Sequence, residues 1–256
     1  MEFKIIQHMA EGQASHWWFQ ARAQIISRMI KKTFGIRKLN ILEIGAGTGA
    51  CIPILKQHGP VTVIEPDPIC RRHLQQKFDI RAIPGSIPDS IPMHLGKFDL
   101  ICMFDVLEHI DDDEEALKSL RTLLTPNGHI FVTVPAYQWL WSPLDTLSHH
   151  KRRYSAQKLR KLISRTELEI SKLTYFNTTL FPVAAITRKL DQAFKKNSST
   201  GYQPPHKYIN WILKQIFLLE KYLLPVINLP FGLSLLTVLN KKSAALKMKA
   251  TAMDSK

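Results

Sequence analysis

The sequence is poor in cysteine, in long uncharged runs and, over its second half, in acid. Three cysteines, Cys51, Cys70 and Cys102, stand among 256 residues. None has zinc-ligand spacing, and so few exclude a disulfide-stapled scaffold. The same usage suits a reducing cytoplasm. Met1-Glu2-Phe3-Lys4 lacks the basic start and apolar run of a secretory leader. One stretch without charge, Tyr222 to Asn240, has 19 residues, near the length that spans a bilayer. Pro225, Pro230 and Gly232 interrupt it, so it reads as a turn into a strand. Acid is scarce only in part of the chain. Residues 1–150 carry 15 Lys+Arg against 16 Asp+Glu, whereas residues 151–256 carry 20 against 5. The whole formal charge of +14 therefore belongs to the second part. A solvated basic surface, a nucleic acid or an anionic membrane each fits that asymmetry.

What the chain does have is an ordered set of strand–turn–helix signals. Ile41-Leu42-Glu43-Ile44 is a short apolar run closing on a turn, Gly45-Ala46-Gly47-Thr48-Gly49. Alternate glycines let the backbone turn sharply and let a ligand lie against main-chain N–H groups. Taken alone the pattern also satisfies a dinucleotide fingerprint, with Ala50 as its last small residue. Val61-Thr62-Val63-Ile64 is a second buried run ending at Glu65-Pro66-Asp67, where an acid can accept hydrogen bonds from ribose hydroxyls. Phe98 to Met103 reads as a further strand, followed by Phe104-Asp105-Val106-Leu107-Glu108-His109-Ile110. Leu123 to Pro135 passes through Pro126-Asn127-Gly128 into another.

Taken together, these segments, over roughly residues 39–135, resemble the class I S-adenosylmethionine (SAM)-dependent methyltransferases, in the branch that includes quinone-biosynthesis enzymes. A narrower likeness follows in Leu140-Trp141-Ser142-Pro143-Leu144-Asp145 and His150-Lys151-Arg152-Arg153-Tyr154, similar to a bacterial subgroup with an LWSxHD…HxRRY segment. Leu144 stands where that subgroup often has histidine. The resemblance implies an α/β, Rossmann-like sheet of seven strands with helices on both faces and an antiparallel last strand.

The rest of the chain is read around that core. A helix opens near Ser15 and runs to about Thr33, with Phe19, Ile26 and Ile30 on one face. Asp111-Asp112-Asp113-Glu114-Glu115 reads as an N-cap and first turn rather than a metal site, and no metal is expected. Ser155 caps a helix through Ser164. Leu168 to Tyr175 alternates as a sixth strand, and Phe231 to Leu239 reads as a seventh. Between them two helices, about 178–194 and 207–224, flank a polar linker at 195–201. The expected organisation is an N-terminal helical cap over 1–38, a core over 39–177 and 229–243, a helical insert or lid over 178–228, and a flexible tail over 244–256. The second insert helix is apolar, with flanking lysines, which suits either packing on the sheet or a peripheral contact with anionic lipid. The expected location is the cytoplasm, including the inner face of the membrane.

The family implies a set of cofactor contacts: Gly45, Ala46 and Gly47 with Glu43 beside them; Glu65 and Pro66 at the ribose; Ser86 and Ile87 at adenine; Met103 and Phe104 on the methionine side. Ser86 replaces the usual aspartate, which weakens or moves that contact. Arg22 resembles an arginine that meets the cofactor carboxylate. On the acceptor side, Trp17, Trp18, Trp141, Asp145, Arg152 and Arg153 are candidates for binding. His109, His150 and Tyr154 are candidates for moving a proton. Arginine forks suit a phosphate or carboxylate on the acceptor, and a histidine titrates close to neutral pH. The function expected is methyl transfer from SAM, at oxygen, to a small or lipid-linked acceptor. An RNA methyltransferase would explain the charge, but no RNA-binding module is visible. A SAM-binding interaction protein without catalysis is the third alternative.

Overall fold

Short apolar runs that alternate with helical segments build one side of a twisted sheet. The computed structural model describes residues 10–91, 95–193 and 204–242. In it, β1 (Ile41–Ile44) pairs in parallel with β2 (Val61–Ile64) and with β3 (Phe98–Phe104), and β3 pairs with β4 (Leu124–Pro135). After β5 (Leu168–Phe176), the last strand β6 (Ser234–Lys241) returns antiparallel between β4 and β5. The order across the sheet is β2-β1-β3-β4-β6-β5. It reverses at β1 and β3, and in open α/β sheets the crevice at such a switch point takes the ligand. The expected linker over 195–201, the tail over 244–256 and the Met1–Lys4 segment lie outside the described residues.

Six strands, not seven, form among the described residues. Beyond β2, where a seven-stranded sheet would need one more strand, the described residues make a single parallel bridge, Ile64 to Ile83. Ile83 donates to Val63 O at 2.8 Å and accepts from Glu65 N at 3.0 Å. Pro84 follows with no N–H to continue the ladder. Two other boundaries move for local reasons. β4 starts at Leu124, before the Pro-Asn-Gly turn, and the turn becomes a register shift opposite Phe98 and Leu100. β6 starts at Ser234 rather than Phe231, because Gly232 lies over the Phe176 carbonyl, where a Cβ would come within 2.4 Å of the oxygen.

Both faces of the sheet are covered, and side-chain alternation shows how. Leu42, Ile101, Met103, Ile130 and Val132 point to one face, against α4 (Asp113–Thr122) and α6 (Ala156–Ser164). Leu100, Cys102, Phe131, Leu236 and Val238 point to the other, against α1 (Trp17–Phe34) and α8 (Lys207–Leu218). The amphipathic face of α1 supplies Ile25, Ile26, Met29 and Ile30 to that second cluster. The caps are local. His16 Nδ1 accepts from Trp18 N, Asp67 caps α3 (Pro68–Phe78), Asp112 caps α4 and Ser155 caps α6.

Between β5 and β6 the chain forms α7 (Phe181–Ala193), α8 and α9 (Glu220–Leu223). One buried acid ties this excursion to the sheet. Glu220 is fully buried and accepts the backbone N–H groups of Asn177 (2.7 Å), Thr178 (2.7 Å) and Thr179 (3.0 Å) and the Thr179 hydroxyl. These donors lie just past the end of β5, where α7 is about to start. Glu220→Ala would strip partners from three buried or half-buried N–H groups. It should lower unfolding stability by about 3 kcal/mol in a urea melt.

Candidate active site

The site forms where β1 and β3 end and their loops part. After Ile44 the backbone turns through Gly45, Gly47 and Gly49 at φ of 65°, 54° and 79°. A Cβ on Gly45 would lie 2.8 Å from the Val106 side chain, and one on Gly49 would lie 2.5 Å from Phe78. A Cβ on Gly47 would meet nothing within 4 Å. Gly45 and Gly49 therefore let neighbouring segments close in, while Gly47 faces open space. Glu65, at the end of β2, is buried and reaches across this turn. Its Oε2 accepts Gly47 N–H at 2.8 Å and its Oε1 accepts Asp67 N–H at 3.0 Å. Burial raises its pKa, against those two hydrogen bonds.

On the α1 side of the sheet, polar groups replace the apolar alternation at this end. Arg22 is buried, its Nη2 2.8 Å from Asp105 Oδ2 and 2.9 Å from Thr133 Oγ1. Its guanidinium lies 4.7 Å from the Trp18 ring centroid and 5.5 Å from that of Phe104. Glu43 is buried nearby, one oxygen without a partner, and burial pushes its pKa up to about 8 despite the Arg22 charge. Asp105, Tyr137, His149 and Asn177 all hold left-handed backbone, φ 56° or 57°. Such conformations cost free energy and persist where surrounding contacts impose them. All four lie in segments leaving the strands at this edge.

The loop after β4 folds back onto it. Ala136 and Tyr154 form a parallel bridge. Asp145, in α5 (Pro143–Leu147), receives Arg153 Nε at 2.7 Å, Arg153 Nη2 at 2.8 Å, the Ser142 N–H and hydroxyl at 2.8 Å each, and His150 Nδ1 at 2.9 Å. Burial opposes its charge, but the bonds from His150 and Arg153 and the Arg153 charge hold its pKa well below the carboxylate range. With Asp145 a full-time acceptor, His150 must carry its proton on Nδ1 when neutral, leaving a lone pair on Nε2. That Nε2 lies 3.9 Å from Glu108 Oε1, and the His150 and His109 rings meet edge to face at 4.8 Å. Burial and the adjacent His150 lower the His109 pKa, which favours its neutral form. Glu108 is fully buried, and neither of its carboxylate oxygens accepts a hydrogen bond from the described residues. Burial and the Asp105 charge raise its pKa well above normal. Ligand atoms of Glu108, His109 and His150 all lie within 4.8 Å of one another, near enough to share one cation.

The structure separates the remaining candidates. Arg153 does not face an acceptor: it is buried, forked onto Asp145, and donates to Ala136 O at 3.1 Å. Tyr154 is buried, and its hydroxyl donates to Asp113 at 2.8 Å. Arg152 pairs with Asp113 at 3.0 Å. Asp145 is spent inside the same network. These residues hold the loop, because a buried guanidinium needs a carboxylate close by. Met103 is fully buried in the core, whereas Phe104 lies under Arg22. Trp17 packs edge-on against Phe217, and Trp18 lies at Arg22. Trp141 lines an open hollow of about 830 Å³ with Thr146, Leu147 and His149. Ser86 and Ile87 stand in the segment after Ile83, with Ser86 N–H bonded to Ser90 Oγ at 2.9 Å and Ile87 buried. Pro66 is exposed beside Glu65. Asp105, Thr133 and Glu108 are the groups sequence reasoning passed over. Thr133 had a signal, a polar residue at a position the alternation buries.

A family profile described as a methyltransferase domain matches residues 15–173. The chain belongs to the methyltransferase family. It is a SAM-dependent methyltransferase with the Rossmann-like class I fold. Among curated relatives, the ubiquinone biosynthesis O-methyltransferase of Vibrio campbellii is 26% identical over 186 residues, covering 62% of this chain and 79% of that one. The enzyme of the same name from Vibrio parahaemolyticus is 27% identical over 173 residues, covering 60% and 68%. Solved methyltransferases share the fold at low identity. A SAM-dependent methyltransferase from Thermotoga maritima superposes with a TM-score of 0.55, 16% identity and 89% and 93% coverage. A TehB-like methyltransferase from Corynebacterium glutamicum gives 0.52, 19%, 87% and 88%.

The loop of this methyltransferase rests on the Asp145–Arg153 pair, and that can be measured. Arg153→Ala leaves a buried carboxylate short of two charged donors. It should cost about 3–5 kcal/mol in a chemical melt. Arg152→Ala, on a partly exposed pair, should cost under about 1 kcal/mol.

Proposed function

We propose that this methyltransferase transfers a methyl group to a hydroxyl of an amphiphilic small molecule, with His150 as the base. Gly45, Ala46, Gly47 and Glu65 hold the cofactor on this reading, with Glu43, Pro66, Ser86, Ile87 and Phe104 around it, and Arg22 takes its carboxylate. The open side of Gly47 and the orphaned oxygen of Glu43 support that assignment. When bound, the cofactor supplies an activated methyl on a sulfonium, so the chain's work is to align the acceptor and remove a proton. The observation that carries the base assignment is the Asp145–His150 contact of 2.9 Å. It fixes the ring and leaves Nε2 to take the hydroxyl proton at the carboxyl edge of β3. Trp18 and Trp141 offer apolar walls. The names of the Vibrio relatives support an oxygen acceptor on a quinone-precursor-like body. α1 acts as the lid, braced by α8, whose Asn210 accepts Trp17 N–H at 2.8 Å.

A second reading of the same cluster has its own observation. Buried Glu108, with two oxygens that accept no hydrogen bond from the described residues, beside two imidazoles is a ligand set for a divalent cation, which would itself lower the pKa of the acceptor hydroxyl.

Two experiments test the proposal. Calorimetry should show SAM binding, and Glu65→Ala should weaken it by about tenfold or more, since charged hydrogen bonds are lost. Turnover should be read on lipid extracts from cells that lack the gene, as a product heavier by one methylene. His150→Ala should lower the maximal rate by roughly 10²–10⁴ with SAM affinity unchanged. The loss should shrink at high pH, where the hydroxyl ionises unaided. If a chelator abolishes wild-type turnover and added metal restores it, the cation reading replaces the imidazole base.

A further inference from the structure

The apolar surface of the structure is concentrated on one helical stripe that has no part in the site described above. α8 and α9 are joined by Leu219 in right-handed helical conformation, and Leu224 continues it. The segment from Lys207 to Leu224 is thus one nearly continuous helical path. Tyr208, Ile212, Leu219, Tyr222, Leu223 and Val226 follow one another at helical spacing, and all six are exposed, Val226 by 80%. Trp211, 62% exposed, borders them. The opposite face carries Phe217, Glu220 and Leu224, all buried, with Phe217 stacked on Phe176. The helix therefore uses its inner face for packing and leaves a second apolar face to the outside.

Charge decides what that face fits. Lys207, Lys214 and Lys221 recur every seven residues, which places them in one row along a flank of the stripe. Lys207 lies over Tyr208 at 5.1 Å and Lys221 over Tyr222 at 5.8 Å. The only acid in residues 204–242 is Glu220, and it is turned inward onto the chain after β5. Apolar centre, aromatic border, basic flank and no outward acid is the pattern of a helix lying in a lipid interface. No helix among the described residues is long and apolar enough to cross.

We infer that the α8–α9 stripe docks this methyltransferase on an anionic lipid bilayer. The stripe enters the headgroup boundary, tyrosines and Trp211 sit at its edge, and the lysine row meets lipid phosphates. The docked helix is directly bonded to the lid. Asn210 accepts Trp17 N–H and donates to Ser15 O at 2.9 Å, and Trp17 packs on Phe217. A bilayer-borne acceptor would thus meet the enzyme on the side where α1 covers the site. Whether the acceptor is such a molecule is the separate reading given above, and docking does not depend on it.

The test uses the full chain and vesicles of phosphatidylcholine with or without phosphatidylglycerol, read by flotation. The wild type should float with the anionic vesicles, stay behind with neutral ones, and be released as salt screens the lysines. Ile212→Glu/Leu219→Glu should weaken anionic binding by about a hundredfold, as two side chains are withdrawn from the interface. Both positions are solvent-exposed, so SAM binding and the melting temperature should not move. Lys207→Gln/Lys214→Gln/Lys221→Gln should remove the preference for anionic lipid. If the wild type ignores anionic vesicles at low salt, or the double variant still binds them, the inference fails. If the wild type dimerises in light scattering and the double variant does not, with no vesicle binding, the stripe's occupant is a second copy and the inference also fails.

Discussion

The contact between Asp145 and Arg153 holds the loop after β4 in shape. A carboxylate and a guanidinium, both nearly sealed from water, are tolerated only when each is saturated, and here each is. Arg153 reaches the backbone of the strand end at Ala136, so the loop is anchored to the sheet. Asp145 also gathers the start of α5 and the ring of His150. Loop, helix and imidazole thus share one fixed charge. Across the sheet edge a second buried guanidinium is paired less completely, where Arg22 joins Asp105 and Thr133 near the Gly45–Gly49 turn while its Nε finds no partner among the described residues. Two buried arginines, one from before the sheet and one from after β4, pin the two halves of the crevice.

Placing polar groups in this way has a cost that is visible nearby. Glu43 and Glu108 are buried carboxylates with oxygens that accept no hydrogen bond from the described residues. Their pKa values rise for that reason. Left-handed backbone at Asp105 and His149 adds to the cost. Unmet polar groups and strained backbone concentrate where a protein is built to bind something rather than to be as stable as it could be. In this molecule Glu108, Asp105 and His149 bring both to the carboxyl edge of β3 and β4.

Much of the core could be read in advance. The strands β1, β2 and β3 and the caps at Asp112 and Ser155 depend on local patterning, and apolar runs and short polar side chains announce them directly. The seven-strand total came from the resemblance alone, and beside β2 it meets a local obstacle: Pro84 after Ile83 ends the ladder that a seventh strand would continue. The buried partners of Arg153 and Tyr154 were not legible for a different reason. A basic and aromatic run looks the same in sequence whether it faces a ligand or a buried acid, and Asp145 and Asp113 lie 8 and 41 residues away. The Glu108, His109 and His150 cluster was hidden because two of its members follow β3 and the third follows β4. Only parallel pairing of those strands brings them to one edge.

Glu220 has a consequence for the order of assembly. The N–H groups that lead into α7 are met by a side chain 41 to 43 residues further along, not by a local cap. No hydroxyl or acid in the preceding turn takes that role for all three. The start of α7 therefore gains its partners only when α9 has returned to the end of β5. β6, which follows α9 and separates β4 from β5, must enter the sheet through the same closure. Excursion and final strand are thus bound into one cooperative step, late and long in sequence separation. One side chain at the end of β5 thus ties the helices that precede the last strand to the sheet which that strand completes.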